Sequence, residues 1–226
     1  MNNRLNAVAG RTSLAGVRRL VFLTLLALAG CALPGQPQRP AVYDFGPGPL
    51  TSAPASEAPR LPPLVVDMVD ANPALDSTAV LYRLAYADAQ QLRPYSLARW
   101  SMTPGQLLRQ RLRETLGQRR TLLNPGDGGE IGAGSASDRQ RPLTLRIELE
   151  EFSQLFTTPD ASVGLLRLRA SVAQAGPKGE TAVRQRSFIV QRSAPSADAA
   201  GGVRAMTAAT DAVVQELDQW LQSMGP

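Results

Sequence analysis

Apolar and polar residues alternate with period two through three long stretches in the second half of the chain. In Leu143–Phe152, Leu143, Leu145, Ile147 and Leu149 share one face, and Arg146, Glu148 and Glu150 the other. In Ser162–Gln174, Leu166, Leu168, Ala170 and Val172 alternate with Arg167 and Arg169. In Thr181–Arg192, Phe188 and Val190 fall on one parity, and Gln185, Ser187 and Ile189 on the other. One apolar face and one wet face predict antiparallel strands lying over a core. Opposite charges on the wet face read as cross-strand pairs. The competing reading is a charged surface that meets lipid or a partner.

The first half carries shorter signals. Leu64–Val69 is rich in β-branched residues and predicts a buried strand, and Asn72-Pro73 a turn after it. Val80, Tyr82, Leu84 and Tyr86 alternate with Arg83 over residues 79–87, predicting a second strand. A third runs from Gln91 to Trp100 and is placed at a sheet edge because Pro94 cannot donate to a ladder. The hairpin between them turns around residues 88–90. Thr121-Leu122-Leu123 predicts one more short strand, and residues 124–142, rich in Gly, Ser and Asp, a long loop.

Helical periodicity appears twice. Thr103 precedes Pro104 and Gln106 in a capping-box arrangement; Leu107, Leu108, Leu112 and Leu116 form a stripe, and Gly117 closes it. Arg109, Arg111, Arg113, Arg119 and Arg120 accompany this helix and read as a solvated face, with a phosphate-binding patch as the alternative. Residues 197–222 predict the second helix, capped by Ser196, with Val203, Met206, Thr210, Val213, Leu217 and Trp220 toward the core. Gly201-Gly202 weakens its start. The fold class that follows is α+β: a mixed, mostly antiparallel sheet with two helices packed on one face.

Composition changes the picture at the N-terminus. Arg4, Arg11, Arg18 and Arg19 precede an apolar run from Leu20 to Ala29, the order of a secretory signal. That run is too short for the roughly 20 residues of a membrane-spanning helix. It ends in Leu28-Ala29-Gly30-Cys31, which holds the single cysteine of the chain. The four signal arginines supply four of the five net positive charges, so the high pI is weak evidence for nucleic-acid binding. Nine of the 18 prolines fall between Cys31 and Leu64, which predicts a semi-rigid tether over residues 31–63. Within it, Ala41–Phe45 is an apolar and aromatic patch able to dock as an edge strand. The organisation read from these features is residues 1–30 signal peptide, 31–63 lipidated cysteine and tether, and 64–224 the folded domain.

Candidate chemistry is sparse. There is no histidine, which removes Ser-His and Cys-His nucleophilic sites and most zinc sites. The one lysine, Lys178, lies in a Gly-Pro-Lys-Gly turn. No metal ligands, cofactor motif or catalytic residues are assigned, and no enzyme activity is expected.

Leu28-Ala29-Gly30-Cys31 resembles a bacterial lipobox. The resemblance implies cleavage after Gly30 and a diacylglycerol on Cys31, usually with a further acyl chain such as palmitate. Ala32, not Asp, in the second mature position resembles the pattern passed to the outer membrane, with the domain on its periplasmic face.

Further on, Tyr43-Asp44-Phe45-Gly46-Pro47, Asn72-Pro73 with Leu75-Asp76, Tyr82-Arg83, Leu92-Arg93-Pro94-Tyr95, Trp100 and Pro104 follow one another. This order resembles the ABC-type transport auxiliary lipoprotein family, in its paraquat-inducible protein C-like group. The resemblance implies a small α+β fold like the N-terminal domain of TolB. It also implies a non-catalytic docking subunit for a transporter containing a mammalian-cell-entry (MCE) domain protein, moving phospholipid between membranes, and a homo-oligomeric ring. Tyr82, Tyr95 and Trp100 are the candidate contacts with partner or protomer, since aromatic residues are enriched at interface cores; the competing reading packs them in the core. The alternative is an envelope scaffold or activator lipoprotein for cell-wall synthesis or outer-membrane assembly. A third reading, direct lipid carriage, needs an enclosed apolar pocket.

Overall fold

The computed structural model describes residues 38–48, 61–126, 142–175 and 181–224. Residues 1–37, with the signal, Gly30 and Cys31, lie outside them. So do tether residues 49–60, most of the expected 124–142 loop, and the turn holding Lys178.

Eight strands form one mixed sheet: β1 (Ala41–Tyr43), β2 (Leu61–Ala71), β3 (Ala79–Leu84), β4 (Asp88–Trp100), β5 (Arg120–Leu123), β6 (Leu143–Phe156), β7 (Ser162–Ala175) and β8 (Thr181–Ser193). Helices α1 (Pro104–Leu116) and α2 (Ala199–Ser223) complete the α+β fold. The three antiparallel ladders, β3–β4, β6–β7 and β7–β8, include the longest ones. The pairings β1–β4, β2–β5, β2–β6 and β3–β6 are parallel.

β6 is the central strand. One edge pairs with β7 from Thr144 to Phe156. The other edge is shared: Leu143–Leu149 pairs with β2, and Gln154–Phe156 with β3. The sheet therefore forks there, one arm running β2–β5 and the other β3–β4–β1. A register shift between Leu149 and Glu151 marks the fork, and it changes which parity of β6 faces the core.

The inner face follows the alternation. Leu145, Ile147, Leu149, Leu166, Leu168, Ala170, Val172, Phe188 and Val190 are buried in one cluster with the leucine stripe of α1 and with Val203, Met206, Val213 and Leu217 of α2. The wet face pairs Arg167 to Glu150 at 3.1 Å and Arg169 to Glu150 at 2.9 Å, as expected, whereas Arg146 pairs with Asp67 of β2 at 3.0 Å instead of with Glu148 or Glu150. The Met68 N–H, and after it Arg146, hold the Asp67 carboxyl below the usual range.

Several expectations are corrected. β2 begins at Leu61 and not Leu64; Pro62 and Pro63 fall where its ladder to β5 skips register, so their missing N–H groups break no pairing. The β3–β4 turn is residues 85–87, leaving Tyr86 exposed at the tip rather than on the strand face. β4 is not the edge: β1 pairs beyond it at Ala98–Trp100. Pro94 sits in the stretch of β4 that has no second strand partner among the described residues. The cap of α2 is Asp198, which accepts from the Gly201 N–H at 2.7 Å, while Ser196 donates to the Asp198 carboxylate. Trp220 is half-buried, edge-on to Phe188 at 5.8 Å, rather than core. Arg111 of α1 and Arg120, the first residue of β5, are not on a solvated face but form ion pairs with Asp211 and Asp218 of α2.

The glycines of α2 and β7 set how closely helix and sheet approach. A Cβ on Gly164 would lie 2.4 Å from backbone atoms of Ala205 and Met206. We therefore expect Gly164→Ala to lower stability by about 2–3 kcal/mol, the overpacking range, in thermal or urea unfolding. Gly105→Ala, whose added carbon meets nothing nearer than 3.5 Å, should melt at or above the parent temperature. Equal melting of the two variants would contradict this account of the packing.

Candidate functional site

Two features hold most residues of the motif order: a strap formed by β1 and the residues after it, and a tyrosine pair at the fork. The strap starts with β1 laid parallel on β4, and the Ser101 N–H donates to the Tyr43 carbonyl at 2.7 Å. Asp44 accepts from the Gly46 N–H at 2.8 Å. Gly46 and Gly48 turn the chain at φ +76° and +65°, where a side chain would be strained. Phe45 is thereby driven into the core, edge-on to Trp100 at 5.7 Å and tilted on Phe152 at 6.1 Å.

Arg111 holds the strap down. Its guanidinium donates to the Phe45 carbonyl, lies 5.8 Å from the Phe45 ring centroid, and pairs with Asp211 at 3.3 Å and Glu114 at 3.7 Å. One side chain of α1 thus binds strap and α2 together. A shallow cleft lined by Asp44, Phe45, Ser101, Gln110 and Arg111 remains beside it.

At the fork, Tyr82 and Tyr95 stack across β3 and β4 with centroids 4.6 Å apart, and Phe156 packs edge-on to Tyr82 at 6.0 Å. The Tyr95 hydroxyl donates to Gln154 Oε1 at 2.9 Å, and Gln154 Nε2 donates to the Ser162 hydroxyl at 2.7 Å. Gln154 is fully buried. Beside it, Arg83 forms a two-pronged pair with Glu151 at 3.3 and 3.0 Å and also donates to the Ala89 and Gln90 carbonyls. The Ser153 hydroxyl donates to Glu151 at 2.6 Å. Burial, with smaller contributions from Tyr82 and Asp198, pushes the Tyr95 hydroxyl up to about 12. Tyr95 is therefore a neutral donor throughout the physiological range.

The three aromatic candidates do not form one site. Trp100 is 2% exposed, buried between Phe45 and Phe152, and this corrects its reading as a partner contact: no face of the ring is left for one. Tyr82 and Tyr95 meet each other and are half-buried. Gly30 and Cys31 lie outside the described residues. Sequence reasoning missed Arg111 as the strap's clamp and Gln154 as the polar centre of the fork. Gln154 lies past the register shift, where the alternation of β6 no longer predicts which side chains are buried. Among the described residues, no three His, Cys, Asp or Glu side chains come together as a metal site.

Comparison with known proteins follows this geometry. The family model described as "ABC-type transport auxiliary lipoprotein component" matches residues 43–218. Among solved structures, a Xanthomonas campestris protein of family DUF330 is 18% identical with a TM-score of 0.60, over 80% of this chain and 94% of that one. An uncharacterized protein is 12% identical with a TM-score of 0.54, over 81% of this chain and 99% of that one. At these identities the likeness is one of fold. A search of the curated proteins finds no match.

Two outcomes follow from the site. Phe45→Ala should cost about 3 kcal/mol in unfolding experiments and speed hydrogen exchange at the Ser101 amide; unchanged exchange there would mean the strap is not seated by its phenyl ring. Tyr95→Phe should cost about 1 kcal/mol at neutral pH by leaving Gln154 one donor short. Because the folded hydroxyl titrates near 12 and the free one near 10, the unfolded chain binds fewer protons between those values. Stability that is intact below pH 10 is then lost as pH rises toward 12. The variant should show a shallower loss over that window than the parent, measured by denaturant unfolding at several alkaline pH values.

Proposed function

The chain belongs to the family of ABC-type transport auxiliary lipoprotein components, and from that premise we propose that it is a non-catalytic docking subunit, fastened to a membrane by lipid on Cys31. In this reading it serves a transporter whose MCE-domain protein crosses the envelope, and the cargo is phospholipid. The domain stands on the periplasmic face of the outer membrane and works as a homo-oligomer, without a cofactor beyond the covalent lipid.

The observation that carries the reading is where the family match begins. It starts at Tyr43, inside the strap, which supports reading the strap as part of the folded module rather than as linker. Between Cys31 and β1 stand only residues 32–40. At about 3.3–3.6 Å per extended residue, that length holds β1 within roughly 35 Å of the acylated cysteine. Two or more acyl chains make such anchoring stable, at ~0.8 kcal/mol per buried methylene. The polar groups at the fork support a structural rather than a chemical role: Glu151 is taken up by Arg83 and Ser153, and Tyr95 by Gln154.

The test is a Cys31→Ala variant expressed in the native host. Wild type should take up radiolabelled palmitate, fractionate with the outer membrane and co-purify with the MCE protein, permease and ATPase of one system. The variant should take up no label and appear in the soluble periplasmic fraction. Equal labelling and fractionation of the two would overturn the anchor; wild type that co-purifies with none of these subunits would overturn the partnership.

A further inference from the structure

β8 ends the sheet opposite the strap. Among the described residues it pairs with β7 along its length and with no strand on its other side. An open edge of 13 residues presents a row of unpaired backbone donors and acceptors, on which an extended segment can add as a further strand. Edges in soluble proteins are commonly blunted by proline, a bulge, brevity or charged side chains; the arginines of β8 are of the last kind, and they repel a cationic strand but not an acidic one. β8 has no proline, and its ladder to β7 runs from Val163↔Ser193 to Ala175↔Thr181 without a register shift.

Charge says what the edge fits. The wet-face arginines of β6 and β7 each have a carboxylate partner: Arg146 has Asp67, Arg167 has Glu150, and Arg169 has Glu148 and Glu150. Arg184, Arg186 and Arg192 of β8 have none among the described residues, and β8 contains no acidic residue. These three share the parity of Phe188 and Val190 but are exposed. Arg186 is held in place over the Phe188 ring, 4.8 Å from its centroid, with its N–H groups left for a partner. The opposite parity is uncharged: Val183 and Ile189, 63% and 61% exposed, with Gln185, Ser187 and Gln191.

We propose that β8 receives an extended segment of a partner protein as a ninth strand, and that this segment alternates carboxylates with apolar residues. The carboxylates meet Arg184 and Arg186; the apolar residues cover Val183 and Ile189. A second copy presenting its own β8 would bring one strand whose only charges are arginines against another, which cross-strand electrostatics disfavours. The inference deepens the docking-subunit reading and rests on it for the occupant being a protein.

The test uses the full mature chain in detergent and two synthetic peptides of about ten residues, a typical strand length or slightly more. One alternates Glu with Val and Thr, the other Lys with Val and Thr. The Glu peptide should bind at least about tenfold tighter by fluorescence anisotropy and slow hydrogen exchange along β8. Arg184→Glu with Arg186→Glu, both exposed, should reverse the preference with no change in melting temperature. Equal affinity for the two peptides, or binding that leaves β8 exchange unchanged, overturns strand addition. Either result leaves palmitate labelling and co-purification untouched, so failure here is distinct from failure of the docking-subunit reading.

Discussion

The structure depends on the way β6 serves two parallel neighbours along one edge. Where β2 stops at Leu149 and β3 starts at Gln154, the sheet would otherwise bury backbone and side-chain polar groups without partners, at about 1–3 kcal/mol each. Gln154, Ser153 and Glu151 occupy this gap, and every one is answered: Tyr95 and Ser162 for Gln154, Arg83 for Glu151, Ser153 bonded to Glu151. The network links β3, β4, β6 and β7. Satisfied networks of this kind fix one arrangement, because any slip in register leaves several buried groups unpaired at once.

The fork also explains the fit of α2. Gly202 passes so close to Gln154 that a Cβ there would lie 2.0 Å from Oε1, and Gly164 lets the helix backbone rest on β7. The paired glycines that weaken the helix start on propensity are what allow it to seal the polar centre. Further along, α2 is tied by Asp211 to Arg111 and by Asp218 to Arg120 at 2.6 Å. Removing Asp218 would leave the Arg120 guanidinium, 4% exposed, with little water around it, a larger cost than the pair's own net contribution. The same helix thus seals the fork at its N-terminal end, and through Arg111 it fastens the strap.

Much of this was legible in the sequence where one face of an element meets water. β6, β7, β8 and both helices declare themselves by period, and the wet-face ion pairs follow from the residues that alternation places outside. Legibility stops where tertiary contact overrides local pattern. The proline count around Phe45 reads as tether, yet one phenyl ring reaching Trp100 and Phe152 turns part of that segment into core. Trp100 reads equally well as interface or interior, and only the strap's return across β4 decides it. Gln154 carries no local signal at all. Its burial depends on a register shift that brings together strands far apart in the chain.

Of the three terminal strands of the forked sheet, β1, β5 and β8, the first and last are unlike. β1 closes one end, and the chain leaves it toward Cys31. β8 leaves another end without a strand partner among the described residues, and its arginines without carboxylates. β6 couples the two, since its shared edge carries the β3–β4–β1 arm while its other edge carries β7 and β8. The fork's hydrogen bonds tie that coupling, so the strap end and the open end belong to one continuous hydrogen-bonded sheet. The polar side chains of the fork are spent on holding the sheet together, and among the described residues the longest backbone edge left open is that of β8.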